Sequence, residues 1–151
     1  MVTLRFSYDE IKEFMLSYFP DYAEKAQDPE LQPAMDKYYA PDVMFDNGII
    51  TSREQWYRAC LSHPAVVDVI TPNKLCIDEK NLFVSAMVTS RPTERATGKA
   101  LMEIDMNAFY TLKENDEGKL SIARIEVFVE STPGKLEQMM SAYGMKGFSR
   151  G

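Results

Sequence analysis

The N-terminal part of the chain has the apolar spacing of an amphipathic helix. Ser7 and Glu10 form the S-x-x-E pattern of a capping box, which predicts that a helix begins directly after Ser7. Pro20 lacks a backbone N–H, so this helix is expected to kink or restart there. The predicted apolar face of the helix consists of Ile11, Phe14, Met15, Tyr18 and Tyr22.

Short elements are predicted in the segment that follows. The prolines of residues 27–33 suit the first positions of helical turns, and a short second helix is expected to close at Tyr38 and Tyr39. Pro41 and Asp42 then turn the chain into a predicted strand at 43–46.

A turn and a third helix come next in the pattern. Asn47 followed by Gly48 is a strong turn signal. Ser52 and Gln55 form a second capping box, which predicts a helix over 53–61.

The second half of the chain changes from helical to strand-like patterns. Long apolar or alternating segments are separated by clusters of turn residues, and strands joined by turns pair antiparallel. This order indicates a single α+β domain over 1–151, with a loose tail from about residue 145. The strands are predicted at 66–77 (broken near Pro72), 82–90, 100–112 and 120–130, the turns at 78–81 and 113–119, a polar connection at 91–99, and a terminal helix within 131–144.

Composition and charge narrow the function classes. The 151 residues, with 45% apolar and 26% charged side chains, are typical of one globular domain. The net charge is −6, and the sequence contains no block of Lys or Arg residues. Both features argue against nucleic acid and anionic membrane surfaces as partners. The chain has no apolar run near the roughly 18 residues of a membrane span and no secretory signal pattern. We therefore expect a cytoplasmic protein.

Cysteine and histidine give little support for metal or nucleophilic chemistry. Cys60 and Cys76 fit no metal-ligand spacing, and both are predicted to be buried thiols. The single histidine, His63, precedes Pro64 at a predicted helix end, where a cation favours the helix dipole. A His-rich metal site is excluded and a His-based triad is disfavoured, so we predict no metal.

Three stretches of the chain carry a resemblance to a known family: MDKYYAPDVMFDNG, SREQWYRACL and DMNAFYTLKENDEGKLSIARIEVFVES. They resemble the nuclear transport factor 2-like superfamily, which includes ketosteroid isomerases and SnoaL-like polyketide cyclases. The resemblance implies a cone-shaped α+β fold, in which a curved, mostly antiparallel sheet wraps around the N-terminal helices and leaves an apolar cavity.

The resemblance also implies site residues. In the ketosteroid isomerases, an Asp that closes the first strand is the general base, and Asp46 occupies the matching place. A Tyr on the first helix helps to form the oxyanion hole, for which Tyr18 and Tyr22 are both candidates. A second, protonated acid lies on the penultimate strand, where Asp105 and Asn107 remain alternatives.

The strand at 100–112 has one polar and one apolar face. Glu103, Asp105 and Asn107 lie on the same face because strand side chains alternate. Either this polar face meets water and the apolar face meets the helices, or the polar face lines the cavity and the Met-rich face forms a dimer contact.

These residues suit proton transfer on a small hydrophobic carbonyl compound. An apolar pocket raises the pKa of a carboxyl group, which can then move protons near neutral pH without a cofactor. That step is shared by isomerases, cyclases and lyases. The predicted catalytic residues are Asp46, Tyr18, Asn107 and Asp105, and the predicted substrate-binding residues are Tyr22, Trp56, Tyr39, Glu103, Phe109 and Val127.

Each candidate also has a structural interpretation. Asp46 suits a turn residue that caps backbone amides, and Tyr18 and Tyr22 suit core aromatics. The alternative function is a non-catalytic small-molecule-binding or dimeric interaction domain on the same fold. A homodimer is expected for either function, because the late strands carry apolar residues on both faces, such as Val84 and Met87.

Overall fold

The segments with helical patterns form helices that flank one sheet. The second half of the chain, with its strand-like patterns, forms most of that sheet. The structure, a computed structural model, describes residues 4–45, 48–130, 132 and 134–144. In chain order the elements are α1 (Tyr8–Asp21), a π-helical turn (Tyr22–Ala26), a 3-10 helix (Gln32–Lys37), β1 (Tyr39–Phe45), α2 (Arg53–Cys60), β2 (Val66–Asp78), β3 (Phe83–Glu94), β4 (Ile104–Glu114), β5 (Leu120–Val129) and α3 (Lys135–Ala142).

The first helix begins and ends where its sequence predicts. The Ser7 hydroxyl accepts a 3.1 Å hydrogen bond from the Glu10 N–H, and the Glu10 carboxylate accepts one from the Ser7 N–H. Pro20 removes one helical hydrogen bond, and α1 ends at the next residue. The chain continues as the wider π-helical turn, so the predicted restart takes this form.

The five strands form one open, mixed sheet in the order β1-β5-β4-β3-β2. Strands β2 to β5 pair antiparallel with their chain neighbours, as turn-joined strands predict. Strand β1 lies parallel to β5, so the first and last strands of the chain are neighbours. Strands β1 and β2 are the two edges. The predicted α+β fold with a mostly antiparallel sheet is confirmed.

Several predicted boundaries are wrong. The strand predicted at 100–112 begins at Ile104, and Pro41 and Asp42, predicted as a turn, lie within β1. Strand β3 continues to Glu94, into the predicted polar connection, because residues 91–94 pair with residues 66–69 of β2. Strand β2 is not broken at Pro72 but continues through a register shift between Pro72 and Lys74. Tyr39, predicted as a helix end, begins β1.

The apolar core lies between the helices and one face of the sheet, which we call the inner face. On β4 the buried residues are Ile104, Ala108, Tyr110 and Leu112, whereas Asp105 and Asn107 on the opposite, outer face are exposed. The apolar side of this strand therefore meets the helices, as in the first of the two interpretations above, and its polar side points away from them.

The remaining sequence predictions have mixed outcomes. Cys60 is buried, but Cys76 is exposed, because it lies opposite Ser85 on the outer face. Asp46, the turn at Asn47 and the tail from residue 145 lie outside the described residues. Within the described part of the chain, none of the helices has the length and apolar character of a membrane span. The cytoplasmic location, the single domain and the apolar cavity stay predictions.

Candidate active site

Two tyrosine hydroxyls meet at the centre of the inner face. The hydroxyl oxygens of Tyr18, on α1, and Tyr39, on β1, are 2.8 Å apart, and both residues are at most 3% exposed. Burial raises the pKa of both hydroxyls, so both keep their protons near neutral pH. The Tyr18 ring contacts the rings of Phe19, Tyr22, Tyr38, Tyr39 and Tyr110.

Trp56 adds a third hydrogen-bond donor to this aromatic group. Its indole stacks on Tyr22 at 6.3 Å and packs against Phe45 at 4.5 Å between ring centroids. The indole N–H is buried and has no hydrogen-bond partner in the described part of the chain, although it lies close enough to Tyr39 to affect that pKa. A buried donor without a partner is costly, and a ligand oxygen would satisfy it.

Asp68 supplies a carboxyl group on the same face. The Ser90 hydroxyl donates a 2.6 Å hydrogen bond to one carboxyl oxygen, and the Tyr22 hydroxyl lies 3.4 Å from the other. The residue as a whole is half-buried, but its carboxyl group is enclosed by these partners. Burial raises the pKa of Asp68, and the bond from Ser90 and the nearby His63 reduce that effect.

The Gln27 side chain binds the backbone of Asp68 at the open edge of the sheet. Strand β2 is an edge strand, and the backbone N–H and carbonyl of Asp68 point to the open side of that edge. The Gln27 side chain takes the place of a neighbouring strand: it accepts a 2.7 Å bond from the Asp68 N–H and donates a 2.9 Å bond to the Asp68 carbonyl. We call these two hydrogen bonds the Gln27 bracket. Because Gln27 is only 3% exposed, the bracket fixes the Asp68 carboxyl against the inner face.

The structure brings together some of the predicted site residues. Tyr18, Tyr22, Tyr39 and Trp56 lie in one aromatic group next to Asp68. Val127 packs against the same core from β5. Asp46, the predicted base, lies outside the described residues, so its role stays a prediction.

The other predicted residues lie away from this group. Asp105, Asn107 and Phe109 belong to the outer face of β4, because the even-numbered residues of that strand pack on the helices. Glu103 precedes β4 and pairs with Arg91 at 2.5 Å. The structure therefore does not bring these four side chains to Tyr18.

Asp105 and Asn107 line a separate recess on the outer face. The recess has a volume of about 470 Å³ and includes Met87 and Phe128 among its walls. The Thr89 hydroxyl donates a 2.8 Å hydrogen bond to the Asp105 carboxylate, so this acid is already partnered within the sheet.

Sequence reasoning missed Asp68 and Ser90. Asp68 is the single acid in the apolar run VVDVI, which is a signal that could have been used. Its partner could not be found in the same way, because Ser90 lies 22 residues further along and meets Asp68 only through the register of β2 and β3.

No group of three metal-binding side chains occurs among the residues that the structure describes. The free thiol closest to the site is Cys60, whose pKa is raised by burial and by Asp68. A protonated, buried thiol is a poor nucleophile. Among the described residues, the inner face therefore offers the Asp68 carboxyl group, several tyrosine hydroxyls and one indole N–H.

The sequence matches no protein-family model and no curated protein. Solved structures do match the fold. A SnoaL-like polyketide cyclase from Agrobacterium tumefaciens superposes with a TM-score of 0.62 at 12% identity, over 86% of this chain and 97% of that one. Nuclear transport factor 2 from Cryptosporidium parvum gives 0.64 at 12% identity, over 86% and 100%.

A third similar structure is SalBIII, described as an epoxide hydrolase/cyclase-like enzyme with a role in pyran ring formation in salinomycin. It superposes with a TM-score of 0.56 at 17% identity, over 82% of this chain and 92% of that one. The chain thus has the nuclear transport factor 2-like fold, and the resemblance stated from the sequence is confirmed at the level of the fold. Identities this low carry no conclusion about activity.

Proposed function

We propose that this protein is a cofactor-free enzyme that transfers protons on a small hydrophobic carbonyl compound, as an isomerase, cyclase or lyase. The observation that carries the proposal is the Asp68 carboxyl, which is enclosed on the inner face, has a raised pKa, and lies 3.4 Å from the Tyr22 hydroxyl. Solved proteins of the same fold include a SnoaL-like polyketide cyclase and the cyclase-like SalBIII.

In the proposed reaction, Asp68 is the base and Tyr22 the hydrogen-bond donor. The C–H bond beside the substrate carbonyl breaks, its proton moves to a carboxyl oxygen of Asp68, and its electron pair forms an enolate. A pKa raised toward neutrality makes the carboxylate a stronger base than an ordinary Asp. Return of the proton to another carbon gives an isomer. Attack of the enolate on a second carbonyl closes a ring, and Asp68 then protonates the new alkoxide oxygen. Expulsion of a leaving group from the next carbon is an elimination, and the leaving group takes up the proton from Asp68.

Tyr22 is suited to donate a hydrogen bond to the enolate oxygen. Burial, followed by the charge of Asp68, raises the pKa of Tyr22, so its hydroxyl stays protonated. The 3.4 Å separation from Asp68 is long for an O–H···O bond, and the hydroxyl can turn to a stronger acceptor. Donors that are already in place where charge develops are worth more than donors that must be ordered first.

The test is deuterium wash-in at the carbon beside the carbonyl of small hydrophobic ketones and 1,3-diketones, followed by NMR in D2O. We expect the protein to accelerate wash-in for at least one of these probes, and Asp68→Asn to reduce the acceleration about 100-fold or more. Asp116→Asn, in an exposed turn, is the matched control. Asp46→Asn tests the base predicted from the sequence in the same assay.

Two results would contradict the proposal: no acceleration for any probe, or an Asp68→Asn variant within a few-fold of the parent. Trp56 is the single tryptophan and stacks on Tyr22, so its fluorescence reports ligand binding separately from wash-in. Binding without wash-in would favour the second candidate, a non-catalytic ligand-binding domain. That candidate is supported by the Asp68 carboxyl being partnered by the chain's own Ser90 and Tyr22.

We further propose that the protein forms a homodimer through the outer face. Phe128 is 58% exposed and Met87 51% exposed there, which is unusual for large apolar side chains on a sheet. The same face carries Arg124 paired with Glu126, so a second copy rotated by a two-fold axis can offer opposite charges.

A further inference from the structure

Ser90 is a polar side chain in an otherwise apolar, buried row on the inner face of β3. The other members of the row are at most 2% exposed, as Ser90 is, and they are Val84, Ala86, Val88 and Pro92. The residues that pair with Ser90 on the two neighbouring strands, Ile70 and Ile104, have no polar side-chain atoms. A buried hydroxyl is costly unless it is hydrogen-bonded, so the place of Ser90 in this row depends on its partner.

That partner is the Asp68 carboxyl. Asp68 lies directly opposite Pro92, so Ser90, two residues before Pro92, is its diagonal neighbour on the same face of the sheet. The Ser90 hydroxyl donates a 2.6 Å hydrogen bond to Oδ1 of Asp68, whereas the Tyr22 hydroxyl lies 3.4 Å from Oδ2. The two oxygens of this carboxyl group therefore differ, because Oδ1 accepts a short bond and Oδ2 a long one.

We infer that Ser90 is a positioning residue for the proposed reaction: by holding Oδ1 of Asp68, it leaves Oδ2 as the oxygen that takes and returns the proton. The inference rests on the proposed function, in which Asp68 is the base. The substrate C–H bond breaks, its proton bonds to Oδ2, and its electron pair forms the enolate, whose oxygen accepts a hydrogen bond from Tyr22.

The bond from Ser90 persists through this proton transfer. When Oδ2 carries the proton, Oδ1 is the carbonyl oxygen of a neutral acid, which still accepts a hydrogen bond from a hydroxyl. The carboxyl group therefore keeps one orientation while it is protonated and deprotonated. Ser90 acts through Asp68 and is not itself a catalytic residue.

The Ser90 bond also affects the charge of Asp68. Burial is the main cause of the raised pKa of Asp68, and the bond works against it, because a hydroxyl that donates to a carboxylate stabilises the charged form. A change at Ser90 leaves the other titratable groups around Asp68 in the protein, so a shift in its titration reports the Ser90 bond. These groups are Tyr22 in the π-helical turn, Cys60 in α2, His63 after α2, Tyr110 in β4 and Tyr143 after α3.

The test is Ser90→Ala, which removes the hydroxyl and keeps the rest of the side chain. In the wash-in assay we expect kcat at high pH to fall about tenfold, from the loss of one hydrogen bond to a charged group. KM should change little, because Ser90 contacts Asp68 and not the substrate. The pH at which kcat is half-maximal should rise by about one unit.

Ser121→Ala is the matched control. Ser121, on β5, is also 2% exposed, and its hydroxyl has no hydrogen-bond partner in the part of the chain that the structure describes. This change should leave kcat and its pH profile as in the parent. Ser90→Thr keeps the hydroxyl donor and should restore the parent's pH profile, and urea unfolding of each variant checks that folded proteins are compared.

The pKa of Asp68 can also be measured without any reaction, by NMR of its carboxyl carbon, whose signal is assigned by its loss in Asp68→Asn. This pKa should rise in Ser90→Ala and return in Ser90→Thr. An unchanged titration in Ser90→Ala, or a Ser90→Thr variant that titrates like Ser90→Ala, would overturn the role of Ser90.

The outcomes separate the role of Ser90 from the proposed function. Wash-in by Ser90→Ala with the kcat and pH profile of the parent would overturn the positioning role and leave Asp68 as the base. Full wash-in by Asp68→Asn, or no wash-in by the parent, would overturn the proposed function and with it any part that Ser90 takes in proton transfer, even where the Asp68 titration shifts.

Discussion

The hydroxyl groups of Tyr18 and Tyr39 lie 2.8 Å apart, at a distance of 21 residues along the chain. Two hydroxyls in contact share one hydrogen bond, so one of the two O–H protons must find another acceptor or remain unpaired. These two hydroxyls and the nearby buried Trp56 N–H together carry three donor hydrogens and two acceptor oxygens. A carbonyl oxygen is the kind of group that would correct this imbalance.

The tyrosine pair leads to a prediction for stability. Tyr18→Phe and Tyr39→Phe should each lower the free energy of unfolding by about 1–3 kcal/mol, because each leaves a buried hydroxyl without its partner. The double variant should cost less than the sum, since both hydroxyls are then gone. Urea unfolding of the three variants and of the exposed control Tyr8→Phe measures this, and strictly additive losses would contradict it.

Asp68 should make stability depend on pH. Its folded pKa is raised above the ordinary value of 3.8, mainly by burial. Between pH of about 4 and that raised pKa, the folded state holds a proton that the unfolded chain has already lost, so this group lowers stability as the pH rises. In Asp68→Asn this titration is absent.

The free energy of unfolding of Asp68→Asn minus that of the parent should therefore become more positive from pH 4 to pH 7. Urea unfolding at several pH values checks the trend. The same difference for Asp116→Asn, in an exposed turn, should stay nearly flat. A difference for Asp68→Asn that is flat or falls over this range would show that the carboxyl is not destabilised by burial.

Local signals predicted much of the fold. The side chains of Ser7 and Ser52 cap the helices that their patterns indicate, because capping bonds form within three residues. The order of β2 to β5 follows from short turns, such as the one where Asp78 accepts bonds from Asn81. These features need no knowledge of distant parts of the chain.

Non-local relations could not be predicted in this way. Nothing in the spacing around Tyr39 indicates that its strand pairs with Ile122, which belongs to the last strand of the chain. Alternation on β4 separates Asp105 from Ile104 but does not say which of the two faces the helices. The site depends on these relations, which is why its aromatic members could be named from the sequence while the contact between Asp68 and Ser90 could not.

The Gln27 bracket should affect both stability and activity, although Gln27 bonds only the backbone of Asp68 and not its carboxyl. Gln27→Ala leaves the backbone N–H and carbonyl of Asp68 without partners at the sheet edge, at a cost of about 1–3 kcal/mol in the free energy of unfolding. Water can replace part of this loss, but it does not fix the carboxyl in place. We therefore expect a fall in wash-in activity beyond the loss of folded protein.

The matched control for this change is Gln138→Ala on the exposed side of α3. Urea unfolding and deuterium wash-in on both variants separate a stability effect from a positioning effect. A Gln27→Ala variant with unchanged stability and unchanged wash-in would show that Asp68 is held by the side chains of Ser90 and Tyr22 alone.

The outer face provides the last prediction. Phe128, Met87 and Asn107 lie side by side across β5, β3 and β4, and Phe109 packs edge-on against Phe128 at 5.5 Å. A lysine at position 128 would put a charge in the middle of this apolar area, where a second copy could not solvate it. Phe128→Lys should therefore shift the protein to monomer at micromolar concentration in sedimentation velocity.

Leu16→Lys is the control for this change, because Leu16 is 45% exposed on α1, away from the sheet. Leu16→Lys should leave the association state unchanged. Deuterium wash-in by the monomeric Phe128→Lys variant tells whether the inner face is active in a single copy. A parent protein that sediments as a monomer at the same concentration would contradict the homodimer. The exposed Phe128 and Met87 would then need another explanation, since large apolar side chains grouped on one face mark a contact surface.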